Sequence, residues 1–151
     1  MSKESKIFTA TLWNAQETVT HYESFGWELI SLNGNQIVMS RESQNPVYPE
    51  LVKYQGMYEE TAAQYSSLQA PTRPAALPPV NYRAAVIGYI CLIFPGVLYT
   101  VYRVNKKKEY DQAMNEYNEK HAAYQAKRQE LLEKMKNIAL ESRGVFFSRQ
   151  S

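Results

Sequence analysis

One cysteine stands in these 151 residues, Cys91, and no intramolecular disulfide can form from it. A disulfide-stapled secreted scaffold is therefore excluded. The two histidines, His21 and His121, lie a hundred residues apart in different segments. No H-E-x-x-H, no paired C-x-x-C, no G-x-G-x-x-G and no P-loop occurs, so the common metal, dinucleotide and nucleotide sites have no sequence footing. The sequence is read as having no catalytic residues, no metal site and no cofactor. Glycine is scarce, at six residues, and the opening "MSKESKIFTATLWNAQ" lacks the apolar core of a secretory signal peptide. Any membrane insertion is then expected to be driven from inside the chain.

What the sequence has instead is one apolar run. Ala84 to Val101 contains no charged side chain. Eighteen residues of helix reach about 27 Å, close to a hydrocarbon thickness of about 30 Å. Nine of them are Val, Ile, Leu or Phe, which favour insertion by about 3–5 kcal/mol in sum before penalties from Gly88, Pro95, Gly96 and Thr100. Tyr82 and Tyr89 near one end, and Tyr99 and Tyr102 near the other, suit the interfacial belts. We read residues 84–104 as a transmembrane segment.

Charge is split across this run. Residues 1–83 carry six Lys/Arg against eight Asp/Glu, and residues 84–151 carry eleven against seven. The basic flank Arg103, Lys106, Lys107 and Lys108 is expected to contact lipid headgroups. It favours a single pass with the C-terminal side cytoplasmic. Pro95-Gly96 marks a kink and leaves an alternative, a re-entrant hairpin with both ends cytoplasmic.

Before the run lies a small folded unit, residues 5–42. "KIFTATLW" (Lys6–Trp13) alternates as a strand does. Asn14 caps a helix, with Glu17 three residues on and Gly26 closing it. Ala15, Val19, Tyr22 and Phe25 share one face of that helix. "WELISL" and "QIVMSR" read as two strands around "NGN", Asn33–Asn35, where Asn-Gly signals a hairpin. Trp13 and Trp27 are read as core. This β-α-β-β unit, with its helix ending in Gly-Trp and then "ELISLNGNQIVMSR", resembles the small N-terminal module that precedes membrane segments in uncharacterised bacterial and phage membrane proteins. The resemblance covers about a quarter of the chain and brings no functional residue with it. Its members follow the module closely with a histidine-containing membrane segment, which this chain lacks.

Two further helices follow from periodicity. Val47, Leu51, Tyr54, Tyr58, Ala62, Tyr65 and Leu68 form the stripe of an amphipathic helix over 46–69. A Pro-rich linker, 70–83, is extended. Residues 105–142 carry Tyr110, Tyr117, Tyr124, Leu131 and Ile138 at sevenfold spacing, with Met114 and Met135 between them. This is a coiled-coil-like helix, and these residues are its helix–helix interface. Gly144 is expected to end it, leaving a tail over 143–151. Packing against the earlier Tyr-striped helix requires both on one side of the membrane. Glu59-Glu60 and Glu130/Glu133 are read as solvated faces.

The fold class expected is thus α+β: a small β-α-β-β unit, an amphipathic helix, a central transmembrane or re-entrant helix, and a long C-terminal helix. The function expected is that of a small non-enzymatic membrane-anchored interaction or scaffold protein. Its partners are membrane lipids, with self-association or another membrane protein, and not nucleic acid. Two other readings stay open, a membrane-active phage-type protein (holin-like or an exclusion factor) and a soluble protein with a buried central helix.

Overall fold

The structure is a computed structural model describing residues 3–79, 82, 83, 86 and 93–148. It is α+β. A three-stranded antiparallel sheet of β1 (Lys3–Thr9), β2 (Glu28–Asn33) and β3 (Gln36–Glu42) is joined by α1 (Ala15–Glu23), α2 (Tyr48–Ser67) and the long α3 (Ile93–Ser148). Strand order is β1-β3-β2. The chain divides into two compact units, residues 1–68 with 127–151, and residues 69–126.

Within the first unit the local chemistry is as the residues dictate. Asn14 Oδ1 accepts from the Glu17 amide at 2.8 Å, satisfying one of the free donors at the start of α1. Gly26 follows α1 with φ 79°, and a Cβ there would stand 2.9 Å from Leu51 Cδ1. A side chain at this turn would be strained by the positive φ and would require Leu51 to shift. In the hairpin, Asn33 pairs with Gln36, so the two-residue loop is Gly34-Asn35 rather than Asn33-Gly34. Gly34 takes φ 61° at the first central position, the place a type II′ turn reserves for glycine. Strand β1 starts earlier than the alternation suggests and stops at Thr9, with Ala10 N donating to Asn35 O at 2.9 Å.

One sheet face is packed and the other is open. Ile37 and Met39 of β3 are fully buried, and partly buried Phe8 from β1 packs against their cluster. On the opposite face Ile7 pairs with Val38 and stays exposed. The register between β2 and β3 slips between Leu29 and Ser31, leaving Ile30 without a facing residue.

The core joins distant parts of the sequence. Val19, Phe25, Trp27, Ile37, Met39 and Tyr58 cluster with Met135, Ile138 and Ala139 from the far end of α3. Ser142 Oγ is fully buried and donates to Ser24 O at 2.8 Å. Helix α3 runs through Gly144 to Ser148, so the glycine does not end it. A glycine in a helix costs only about 1 kcal/mol, and Phe146, half-buried two residues on, keeps the last turns packed.

In the second unit residues 69–79 form neither helix nor strand, and Arg103 Nη1 donates to Pro78 O at 2.8 Å. Among the described residues no helix is long and apolar enough to cross a membrane. Of the residues read as the transmembrane segment, 84–104, residues 84, 85 and 87–92 lie outside the described set.

Candidate functional site

Three places in the structure concentrate side chains that do more than fill space. The first is an aromatic and histidine cluster in the first unit. The ring centroids of His21 and Trp13 are 5.0 Å apart, edge to face, and His21 Nδ1 is 2.8 Å from the Tyr58 hydroxyl. Tyr58 continues into Phe25 at 5.4 Å and Tyr22 at 6.2 Å, and Tyr22 into Phe8 at 4.4 Å. Lys136 of α3 lies 5.3 Å from the Trp13 ring centroid. Burial disfavours the imidazolium and depresses the His21 pKa; Glu17 opposes this and Lys136 adds to it. Burial likewise pushes the Tyr58 hydroxyl up to about 12.

The sign of the consequence follows directly. The folded form holds a proton on His21 less readily than the unfolded chain does, whose histidine titrates near 6.5. The stability contribution is complete above that value and is lost as the pH falls below it. Urea unfolding midpoints of the full chain should therefore fall between pH 7 and pH 5, and His21→Gln should flatten that slope. An unchanged slope in the variant would remove His21 as its source.

The second place is a polar network between the sheet and α2. Arg41 is buried, with its guanidinium 4.4 Å from the Trp27 ring centroid and 4.7 Å from that of Tyr48. Its Nη1 donates to Gln55 Oε1 at 2.9 Å and to Phe25 O at 3.3 Å, and its Nη2 to Glu4 at 2.9 Å. Gln55 Nε2 passes the chain on to Glu59 at 2.9 Å, where Lys6 also donates, at 2.5 Å. The Arg41 guanidinium holds the Glu4 carboxyl below its usual range. Burial works against the Glu59 carboxylate, but the hydrogen bonds from Lys6, Gln55 and Tyr22 outweigh it and lower its pKa. Glu59 is thus tied into this network while its side chain stays 43% exposed, and Glu60 is exposed. Nothing in the sequence pattern singled out Arg41; its place two residues after Met39, on the same face of β3 as Ile37 and Met39, was the available signal.

The third place is the start of α3, in the second unit. Val97, Leu98, Val101, Tyr102 and Val104 are all large and exposed, Leu98 at 67%. At 100° per residue they cover about 160° of the helix surface. Arg103 stands on the other side and is tied to the linker through Pro78. Lys106, Lys107 and Lys108 follow within a turn, all exposed, with Lys106 paired to Glu109 at 2.9 Å. Gly96 lies in the first turns of α3, and the side chain of Pro95, its partner in the expected kink, is outside the described set.

The interface residues read from the heptad spacing divide between the units. Leu131, Met135 and Ile138 are buried in the first. Tyr110, Met114, Tyr117 and Tyr124 are half-exposed in the second, where Tyr117 stacks on His121 with centroids 5.5 Å apart. In the first unit, Arg128 Nε donates to the Tyr65 hydroxyl, so this part of α3 and the Tyr-striped α2 do meet.

No family model, curated protein or solved structure matches the chain.

Among the described residues no three His, Cys, Asp or Glu stand close enough to hold a metal ion. An open cleft of ~520 Å³ is lined by Thr20, Glu23, Ser24, Trp27, Arg143 and Phe146, among others. Both hydroxyls there are committed to helix carbonyls, Thr20 to Gln16 O at 3.0 Å and Ser24 to Thr20 O at 3.1 Å. The cleft holds no hydroxyl poised against a base.

Proposed function

We propose that the protein is a non-enzymatic membrane-anchored interaction protein, attached through the segment 84–104. The observation that carries this reading is the exposed apolar face Val97, Leu98, Val101, Tyr102 and Val104, which continues an uncharged run and is followed within a turn by three lysines. An apolar patch of this kind at a soluble surface is a site for a partner or a bilayer. Apolar residues beside a cationic collar fit a bilayer with anionic headgroups. A buried central helix in a soluble protein does not suit this face, since its described residues are open. The half-exposed stripe of Tyr110, Met114, Tyr117 and Tyr124 supports a second surface, for self-association or another membrane protein.

The test is flotation of the full chain with vesicles. Binding should be tighter to phosphatidylcholine vesicles containing phosphatidylserine than to phosphatidylcholine alone. Replacing Lys106, Lys107 and Lys108 together by Gln should weaken binding to the anionic vesicles on the order of a hundredfold, at about 1 kcal/mol per lysine. Leu98→Glu with Val101→Glu should abolish binding to both. Full binding by the glutamate variant would defeat the proposal.

A further inference from the structure

We infer that the apolar run meets the bilayer from one face only, so that the segments before and after it stand on the same side of the membrane. This rests on the membrane reading above and goes beyond it.

The argument is one of chain topology. Residues on both sides of the run belong to one folded unit, 1–68 with 127–151. The contact between them is a packed core and not a loose touch. Met135 is fully buried, Ile138 and Ala139 nearly so, all in one cluster with Val19, Phe25, Trp27, Ile37 and Met39. The hydroxyl of Ser142 is used up on Ser24 O, and Tyr65 is bonded to Arg128. An odd number of crossings between Leu68 and Lys127 would put the two halves of that core on opposite sides of a bilayer. An even number needs about 40 apolar residues as helix. Residues 69–126 offer one long uncharged run of 19, Ala84 to Tyr102, flanked by Arg83 and Arg103. No crossing is left that keeps the core intact.

The described part of the run fits entry from one side. The exposed residues Val97, Leu98, Val101, Tyr102 and Val104 occupy one arc of α3, and the opposite side carries half-buried Tyr99 and Arg103, the latter bound to the linker carbonyl of Pro78. A one-sided apolar surface is what a helix resting in the interface presents, whereas a spanning helix is apolar all round. The single pass that the basic flank favours would require Leu131, Met135 and Ile138 to leave the core.

The experiment places single cysteines in the full chain with Cys91→Ala, one in Ser5→Cys and one in Glu133→Cys, both at exposed positions. A second pair, Lys53→Cys and Lys134→Cys, also exposed, guards against a site-specific failure. Membranes from expressing cells are floated to establish attachment. Intact cells are then treated with a membrane-impermeant maleimide before and after permeabilisation. The expected result is that both members of each pair behave alike, either both labelled in intact cells or both only after opening. Labelling of one member and protection of the other, in chains that float with the membrane, overturns the inference and leaves attachment standing. Chains that do not float overturn the membrane reading itself, and the inference with it.

Discussion

A chain ending at Ala126 is expected to lose the native sheet, although every residue of that sheet is still present. The truncation removes Leu131, Met135 and Ile138 from positions at most 4% exposed, together with the Ser142 bond to Ser24 O. Deleting one buried Leu, Met or Ile side chain down to Ala costs about 2–5 kcal/mol. Three such losses come to roughly 6–15 kcal/mol, as much as the whole stability of an ordinary domain, about 5–15 kcal/mol. Near-UV circular dichroism reports the loss, because Trp27 is packed in that core and Trp13 stands against it. A peptide of residues 127–148 added in excess should restore the signal by binding the exposed face. A truncated chain that kept its near-UV spectrum and a cooperative urea transition would show that the first 68 residues fold without α3. The milder variant Met135→Ala should lower stability by about 3 kcal/mol and leave the full chain folded.

Replacing Arg41 is expected to have the largest effect of any single polar substitution. Arg41→Ala removes three charge-assisted hydrogen bonds and the stacking between Trp27 and Tyr48. It also leaves Phe25 O short of that donor. Because Glu4 is partly exposed, its pair with Arg41 is discounted from the cost of a fully buried one. The sum is about 3 kcal/mol of destabilisation, read as a shift in the urea midpoint at constant slope. Arg41→Lys should recover little of it. A lysine has no planar fork to stack between two rings while reaching three acceptors that lie in different directions. Recovery by lysine to within about 0.5 kcal/mol of the original would show that charge alone matters there.

The same comparison of residues explains which parts of the molecule could be read from sequence. The cap at Asn14, the glycine after α1 and the hairpin at Gly34 are short-range devices, each satisfied within a few residues. They were legible for that reason. The strands read from sequence leave Asn33–Asn35 between them, whereas Asn33 joins β2 and pairs with Gln36, so the loop shortens to Gly34-Asn35. The buried role of Arg41 was invisible, because its neighbours come from three separate places, Glu4 from β1, Trp27 from the α1–β2 junction, and Tyr48 and Gln55 from α2. The partners of Glu59 were hidden for a related cause: it sits on a partly solvated helix face, and Lys6 and Tyr22 arrive from elsewhere.

By itself the sequence determined the α+β class, the order of strands and helices, the stripe of each amphipathic helix and the position of the uncharged run. All of these follow from periodicity and turn chemistry, which act over one or two turns of chain. Only the tertiary structure decided which half of the long stripe is buried. Tyr110 to Tyr124 and Leu131 to Ile138 share one heptad register, yet only the latter enter a core. That choice depends on a surface built by residues more than a hundred positions earlier. A helix can advertise an apolar face, but what covers it is fixed by where the rest of the chain returns.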